Sequence, residues 1–307
     1  MCLVDASIYV YRAWRGVPPG TCDPDGRQSN AVAGFAETLA GLLIRERPEH
    51  IACAFDTCGR TGARSVLHPG YKRSRPATPT ALREQIGRCM TLVRSLGVVA
   101  LGSTSVEADD IVGQLARLAR RDGRSVTVVS GDKDLAQHVG AGDTYWDFGR
   151  HARQDALALE RRLGVRLSQV PDWLALSGDA SDDIPGVPGV GPATAARLLR
   201  KWGSLELLFA NLDQVARMRF RGAPRVATLL AEHRDTVRFA RRLTGLIEDD
   251  SLPDSIAAIR RRPVPEPALR DALRAAGLEP LHAARLAGAL SSASPRGVAD
   301  SGAGPIA

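Results

Sequence analysis

Short, uninterrupted apolar runs alternate along the first half of the chain with longer stretches of helical period. Residues 2–4 form an apolar run that stops at Asp5. Residues 31–47 place Phe35, Leu39, Leu42 and Leu43 at helical spacing, which predicts an amphipathic helix. The run 51–55 reads as a buried strand ending at Asp56. Thr78 followed by Pro79 reads as an N-cap and first helical position. The helix behind it carries Leu82, Ile86, Met90, Val93 and Leu96 on one stripe. Residues 98–101 predict a further strand and 106–121 a further helix. Residues 126–129 predict a β-branched strand that ends at Ser130-Gly131-Asp132.

Strands separated by helices pair in parallel through right-handed crossovers. The expected fold is therefore α/β, a three-layer sandwich with a mainly parallel central sheet. Ligands in such folds bind beyond the carboxyl ends of the strands, where Asp5, Asp56 and Asp132 all fall. From about Gln169 helical patterns take over, punctuated by the Gly/Pro-rich residues 184–192. The expected division is an α/β body over 1–168 that includes a basic segment at 60–97. A smaller helical region follows over 169–290 with a hairpin at 184–200, and then a Ser/Gly/Ala/Pro-rich tail, 291–307, expected to be disordered.

Composition narrows the class. At 307 residues, with 44% hydrophobic and 24% charged positions, the chain suits a soluble protein with a sizeable core. No apolar run approaches the roughly 20 residues of a membrane span, and Asp5 interrupts the first one, against a signal peptide. Five cysteines (2, 22, 53, 58 and 89) without a CxxC pair argue against a disulfide framework or zinc site and fit a reducing cytoplasm. The net charge of +7 invites a polyanionic partner. Only three of the 41 basic residues are lysines (Lys72, Lys133, Lys201), a skew that base composition alone can produce. The distribution says more: Arg60, Arg64, Lys72, Arg73, Arg75, Arg83, Arg88 and Arg94 share their segment with one acid, Glu84.

The acids carry the chemistry. Besides the three at strand ends there are Glu107, Asp109 and Asp110 in VEADDI, Asp134 in SGDKDL, and Asp179, Asp182 and Asp183 in SGDASDDIPG. Any one of them fits a turn or a helix cap. Together they would crowd one edge of the sheet, and like charges raise each other's pKa unless a counter-charge intervenes. With no His or Cys cluster, all-oxygen ligation points to Mg²⁺ or Mn²⁺. The size of the group suggests two ions roughly 4 Å apart, as in phosphoryl transfer. In GVPGVGPATAARLL, a glycine-rich turn runs into a helix near Pro192 and would bring backbone N–H groups to a phosphate; a tight interhelical turn is the plainer alternative. It is not a dinucleotide fingerprint, and no Walker A sequence occurs. Tyr71-Lys72-Arg73 and Arg75 could clamp phosphates or form a solvated basic loop.

LVDASIYVYRAW, AFDT, GYKRSR, VEADDIV, SGDKDL, LSGDASDDIPGVPGVGPATAARLL and WGSLE together resemble, in order and spacing, the bacterial 5′ nuclease family. That family is the 5′–3′ exonuclease/flap endonuclease module fused to polymerase I in many bacteria, and the resemblance covers roughly residues 2–250. It implies a PIN-like nuclease core and a helix–three-turn–helix hairpin. Asp5, Asp56, Glu107 and Asp109, with Asp110 beside them, match the family's first metal cluster. Asp132, Asp134, Asp179 and Asp182 match the second. Lys72 and Arg75 resemble the basic residues at the base of the helical arch, with Arg73 and, more weakly, Arg64 as DNA contacts. Tyr11 and Arg12 match an aromatic–Arg pair near the site; Tyr11 stacks on an unpaired base or is a packed core tyrosine. Gly186, Gly189, Val190, Gly191, Ala193 and Thr194 resemble the hairpin that holds duplex phosphates, often with a bound K⁺.

The resemblance further implies a cytoplasmic, nucleoid-associated monomer. It would act on DNA with 5′ flaps, nicks, gaps or free 5′ ends, RNA-primed ends included, in primer removal and repair. No polymerase domain is expected to follow. Asp183 stands where the family usually has Asn, and Ala63 where it has an aromatic. A PIN-type ribonuclease and a catalytically silent DNA-structure-binding module are the alternatives.

Overall fold

Apolar residues on the strands alternate between two cores, which fixes the layers. Cys2 and Val4 of β1 (Cys2–Asp5) point into one core and Leu3 into the other. After α1 (Ala6–Gly16) and α2 (Asn30–Glu46), β2 (Ile51–Phe55) repeats this: Ile51, Cys53 and Phe55 face one side, Ala52 and Ala54 the other. Strands covered on both faces read as continuous apolar runs, which is why they were legible. Then come α3 (Ala63–Leu67), α4 (Thr80–Ser95), β3 (Val99–Gly102), α5 (Ala108–Arg121), β4 (Thr127–Val129), β5 (Thr144–Asp147), β6 (Ala152–Asp155) and α6 (Ala156–Leu163). The computed structural model describes residues 1–150, 152–293 and 295.

The six strands lie in the order β3-β2-β1-β4-β5-β6, all parallel but for β6, which runs antiparallel to β5. The order reverses between β1 and β4, so the crevice of a doubly wound sheet opens beyond Asp5 and Ser130. Helices α1, α2 and α4 cover one face and α5 the other. The three-layer α/β expectation stands.

Two local readings need correction. Helix α4 begins at Thr80 behind Pro79, with no side-chain cap, and the Thr78 hydroxyl is turned to Tyr11 instead. Its buried face is Leu82, Gln85, Cys89, Leu92 and Val93, a rotation of the expected stripe. Gln85 lies inside because its Oε1 accepts the Ala31 amide at 2.8 Å, capping α2 from outside.

The helical unit holds α7 (Val170–Ser177), α8 (Pro192–Trp202), α9 (Leu205–Ala210), α10 (Leu212–Ala216), α11 (Ala223–Glu232) and α12 (Arg234–Thr244) around their own core, which Tyr71 joins. It does not run to residue 290. After Gly245 the chain returns to the α/β body. The Ile247 amide donates to Asp110, the Asp249 amide to Gln114, and Leu252, Ile256 and Ile259 join the α5 core. Helices α13 (Glu266–Ala275) and α14 (Pro280–Ser292) then pack on the opposite face beside α2 and α4. Ser291 and Ser292 thus end a helix; the rest of the tail expected to be disordered lies, but for Ala293 and Pro295, outside the described residues. The five cysteines are free, four of them buried. Among the described residues no helix is long and apolar enough to cross a membrane.

Candidate active site

The crevice is built from backbone ends tied by small side chains. Ser130, just past β4, donates its hydroxyl to Asp5 Oδ2 at 2.8 Å and accepts the Asp132 amide at 3.0 Å. Across β1, the Ser7 hydroxyl accepts the Asp56 amide at 2.7 Å. Asp56 Oδ1 accepts the Ala108 amide at 2.8 Å, which docks the start of α5 on β2. Asp132 caps a short 3₁₀ turn by accepting the Asp134 amide. The loop after α7 brings Asp179 and Asp182, and it is sewn to the basic segment. Lys72 N–H donates to the Asp182 carbonyl at 3.0 Å and Ser74 N–H to Asp183 Oδ2 at 2.8 Å. Asp183 therefore makes a local hydrogen bond from the position where the family usually has Asn, with its backbone left-handed at φ 54°.

The expected carboxylates feel one another. Burial pushes the Asp5 carboxyl up to about 7, helped by Asp56 and Asp132. Burial raises Asp132 as well, with Asp109 and Asp182 contributing. Burial, then Asp132, pushes Asp134 up to about 8, against the pull of Lys133. Asp134 shares a hydrogen bond with Asp179, whose own pKa is lowered because bonds from Ser181 outweigh burial. Asp134 Oδ1 is buried with no hydrogen-bond partner among the described residues.

Cations enter the group from one side. Lys72 Nζ lies 2.5 Å from Glu107 Oε1 and 3.7 Å from Asp182 Oδ2. Burial opposes the lysine's charge, but Glu107 and Asp182 more than compensate, so its pKa is raised. Arg75 pairs with Asp182 and donates to the Ser181 carbonyl. The Tyr71 hydroxyl is 2.7 Å from Glu107 Oε2 and 3.2 Å from Asp182 Oδ2. With these groups interleaved, no three Asp, Glu, His or Cys side chains among the described residues stand together as a ready coordination shell. Yet Asp5, Asp56, Asp132 and Asp134 have no ion-pair partner among the described residues. The orphaned Asp134 oxygen and the raised Asp5 and Asp134 suit a hard, oxygen-loving cation.

Several expected residues are placed elsewhere. Asp110 is fully buried and shares Arg64 Nη1 with Glu107 and Asp109, which lie 3.2 and 3.7 Å from it: Asp110 accepts from Arg64 Nη1 and Nη2 at 2.5 and 2.8 Å, from Ile247 N–H and from Glu107 N–H. Arg64, 5% exposed, also donates to the Leu243 and Gly245 carbonyls and is not open to DNA. Its charge is favoured against burial by Asp109 and Asp110. Arg73 is exposed and has no ion-pair partner among the described residues. Tyr11 is half-buried with its hydroxyl on Thr78 at 2.8 Å. Arg12 pairs with Asp147 at 2.9 Å. Lys133 makes no ion pair among the described residues and stands over the Trp173 ring. In the hairpin, Val190 is 2% exposed, so its side chain belongs to the core. Gly189, Gly191 and Ala193 are exposed, Thr194 partly so, and α8 starts at Pro192 with no side-chain cap on its amides. Ser7, Ser130 and Asp147 were not singled out from the sequence. Ser130 could have been, since it follows a strand at the crevice; Asp147 had no signal, because β5 was not foreseen.

Comparison with known proteins agrees with this architecture. Residues 1–162 match the family model of the 5′-3′ exonuclease N-terminal resolvase-like domain, and 165–266 that of the 5′-3′ exonuclease C-terminal SAM fold. DNA polymerase I of Pseudomonas aeruginosa is 38% identical over 253 residues, which is 82% of this chain and 28% of that protein. The chain thus spans less than a third of the length of the curated relatives it matches. Among solved structures, the T5 D15 protein co-crystallised with metal ions superposes with a TM-score of 0.64 at 16% identity, covering 95% of this chain and 98% of that one. The catalytic core of Rad2 in complex with DNA substrate superposes at 0.61 and 15%, covering 94% and 91%.

Proposed function

Because the chain belongs to the 5′–3′ exonuclease family, we propose that it is a structure-specific 5′ nuclease. It hydrolyses DNA phosphodiesters near free 5′ ends, as at flaps, nicks and gaps and at RNA-primed ends, and leaves a 5′-phosphate. The observation that carries this reading is the buried, unpartnered Asp134 oxygen in a crevice of carboxylates that also admits Lys72 and Arg75.

Asp5, Asp56, Glu107 and Asp109 would hold one Mg²⁺ or Mn²⁺, and Asp132, Asp134, Asp179 and Asp182 a second. Such ions supply a nucleophile at neutral pH and stabilise charge on the leaving oxygen. The chain's own residues do the rest. Lys72 and Arg75 exchange their carboxylate partners for the scissile phosphate and neutralise the charge that builds there. Arg73 adds a contact to the strand that leads into the site. The uncapped amides of α8 hold a duplex phosphate, and the hairpin takes a K⁺. Contacts of this kind read no bases, so binding is sequence-tolerant and falls steeply with salt. The enzyme acts as a monomer on DNA in the cytoplasm.

The test is cleavage of a labelled 5′-flap duplex, with nick and gap controls, across a Mg²⁺ titration and then in EDTA. Metal-dependent release of the flap supports the reading. Binding without cleavage at any metal concentration favours a silent DNA-structure-binding module, and preference for single-stranded RNA favours a ribonuclease.

A further inference from the structure

We infer that Asp147 is a positioning residue that holds Arg12 as a phosphate-contacting cation on the β4–β5 side of the crevice, away from the Lys72–Arg75 side. Arg12 lies two helical turns after Asp5 on α1. Its Nη1 is 2.9 Å from Asp147 Oδ1, at the end of β5, and the Asp147 side chain is only 10% exposed. The guanidinium is walled by two glycine backbones. A Cβ on Gly131 would collide with Arg12 Nη2, and one on Gly149 would lie 2.5 Å from Nη1. Neither glycine has a positive φ, so the space, not the backbone, asks for glycine there. Tyr9 completes the slot, its ring 5.3 Å from the Arg12 Cζ and its hydroxyl accepting the Phe148 amide.

A slot this specific holds the cation half-used. Guanidinium carries five N–H donors, and among the described residues only Nη1 has a protein acceptor. The side chain is 36% exposed, and Gly131, against which it lies, directly precedes Asp132. The free donors therefore face an anion arriving at that edge, and a phosphate suits the planar fork. Asp147 fixes the orientation and sits too deep to meet the ligand itself.

The inference rests on the proposed nuclease reading, and its test separates the two. Binding of a 5′-flap duplex is measured without metal, beside single-turnover cleavage with Mg²⁺, for Arg12→Ala, Asp147→Ala, Asp147→Asn, Gly149→Ala and the Arg12→Ala/Asp147→Ala double variant. Asp147→Ala removes a negative charge near DNA, so general electrostatics predicts tighter binding. Positioning predicts weaker binding, by ~tenfold, equal to the loss in Arg12→Ala, with no further loss in the double variant. Asp147→Asn, which keeps an acceptor, restores most of it. Gly149→Ala, which changes no charge and displaces only the guanidinium, reproduces the loss and keeps the inference testable should Asp147→Ala fold poorly. Unchanged or tighter binding by Asp147→Ala or Gly149→Ala, or losses that add in the double variant, overturns it. Absence of cleavage by the unaltered protein would overturn the nuclease reading instead, while the binding series still decides on Asp147.

Discussion

Lys72 meets Glu107 at 2.5 Å from a left-handed backbone, φ 51°, at a residue that is neither Gly nor Asn. That conformation is uncommon for a long side chain. It is held by the amide of Lys72 on the Asp182 carbonyl, so the lysine is aimed by the same loop that supplies the acids. If its task is to neutralise the reacting phosphate, Lys72→Met will slow single-turnover cleavage by ~10²–10³-fold and change flap affinity far less. A loss confined to affinity, in the same binding and single-turnover assays, would assign Lys72 to docking alone.

Asp134 makes the site sensitive to pH in the absence of metal. Its folded pKa of about 8 lies above the ordinary carboxyl value, so the stability linked to its proton is present at acid pH and lost as pH rises through 8. Asp134→Asn carries no such proton. At pH 9 in EDTA the variant will melt higher than the unaltered chain, by roughly 5 °C, and only below about pH 4, where the carboxyl is protonated folded and unfolded alike, will the two coincide. Mg²⁺ will reverse the order at pH 9 and the variant will not cleave. A variant that melts lower at every pH would show that the carboxyl is needed for packing.

The strand ends were legible because strands buried on both faces are continuous apolar runs, and an acid that stops such a run sits at the carboxyl edge by construction. Asp5 and Asp56 are of this kind. Strand β6 was not legible: its Ala152, Arg153 and Asp155 are exposed at the sheet edge, and a polar edge strand carries no hydrophobic period. For Asp110, spacing did not foretell the buried side chain. One position beyond Asp109 on a helix is a turn of about 100°, enough to carry that acid from the crevice into the interior beside Arg64. The return of the chain after Gly245 also escaped the sequence, because helices packing on either core show the same period.

Arg64 and Asp110 lock the foot of the basic segment to the last turn of α12. The pair is buried, bidentate and extended by bonds to the Leu243 and Gly245 carbonyls. Removing one member of such a pair leaves a buried charge alone, which costs ~3–5 kcal/mol. Arg64→Ala will lower stability by that order in urea unfolding. Arg64→Lys will recover little, since an ammonium cannot reproduce the planar fork. An alanine variant of native stability would show that water reaches and solvates Asp110.

The hairpin glycines distinguish a structural from a ligand-facing requirement. A Cβ on Gly186 would collide with the Ser177 carbonyl and the Gly178 amide, which are backbone and cannot move aside, whereas a Cβ on Gly191 meets nothing within 4 Å. Gly191 also has an ordinary extended backbone, φ −82° and ψ 176°. Gly186→Ala will therefore lower both the melting temperature and duplex affinity. Gly191→Ala will leave melting unchanged and weaken duplex binding by ~tenfold, because the space its methyl fills is where a phosphate would approach the uncapped start of α8. Anisotropy titrations with a nicked duplex, beside thermal melts, decide it. Duplex affinity that Gly191→Ala leaves intact would place the phosphate contact elsewhere on the helical unit.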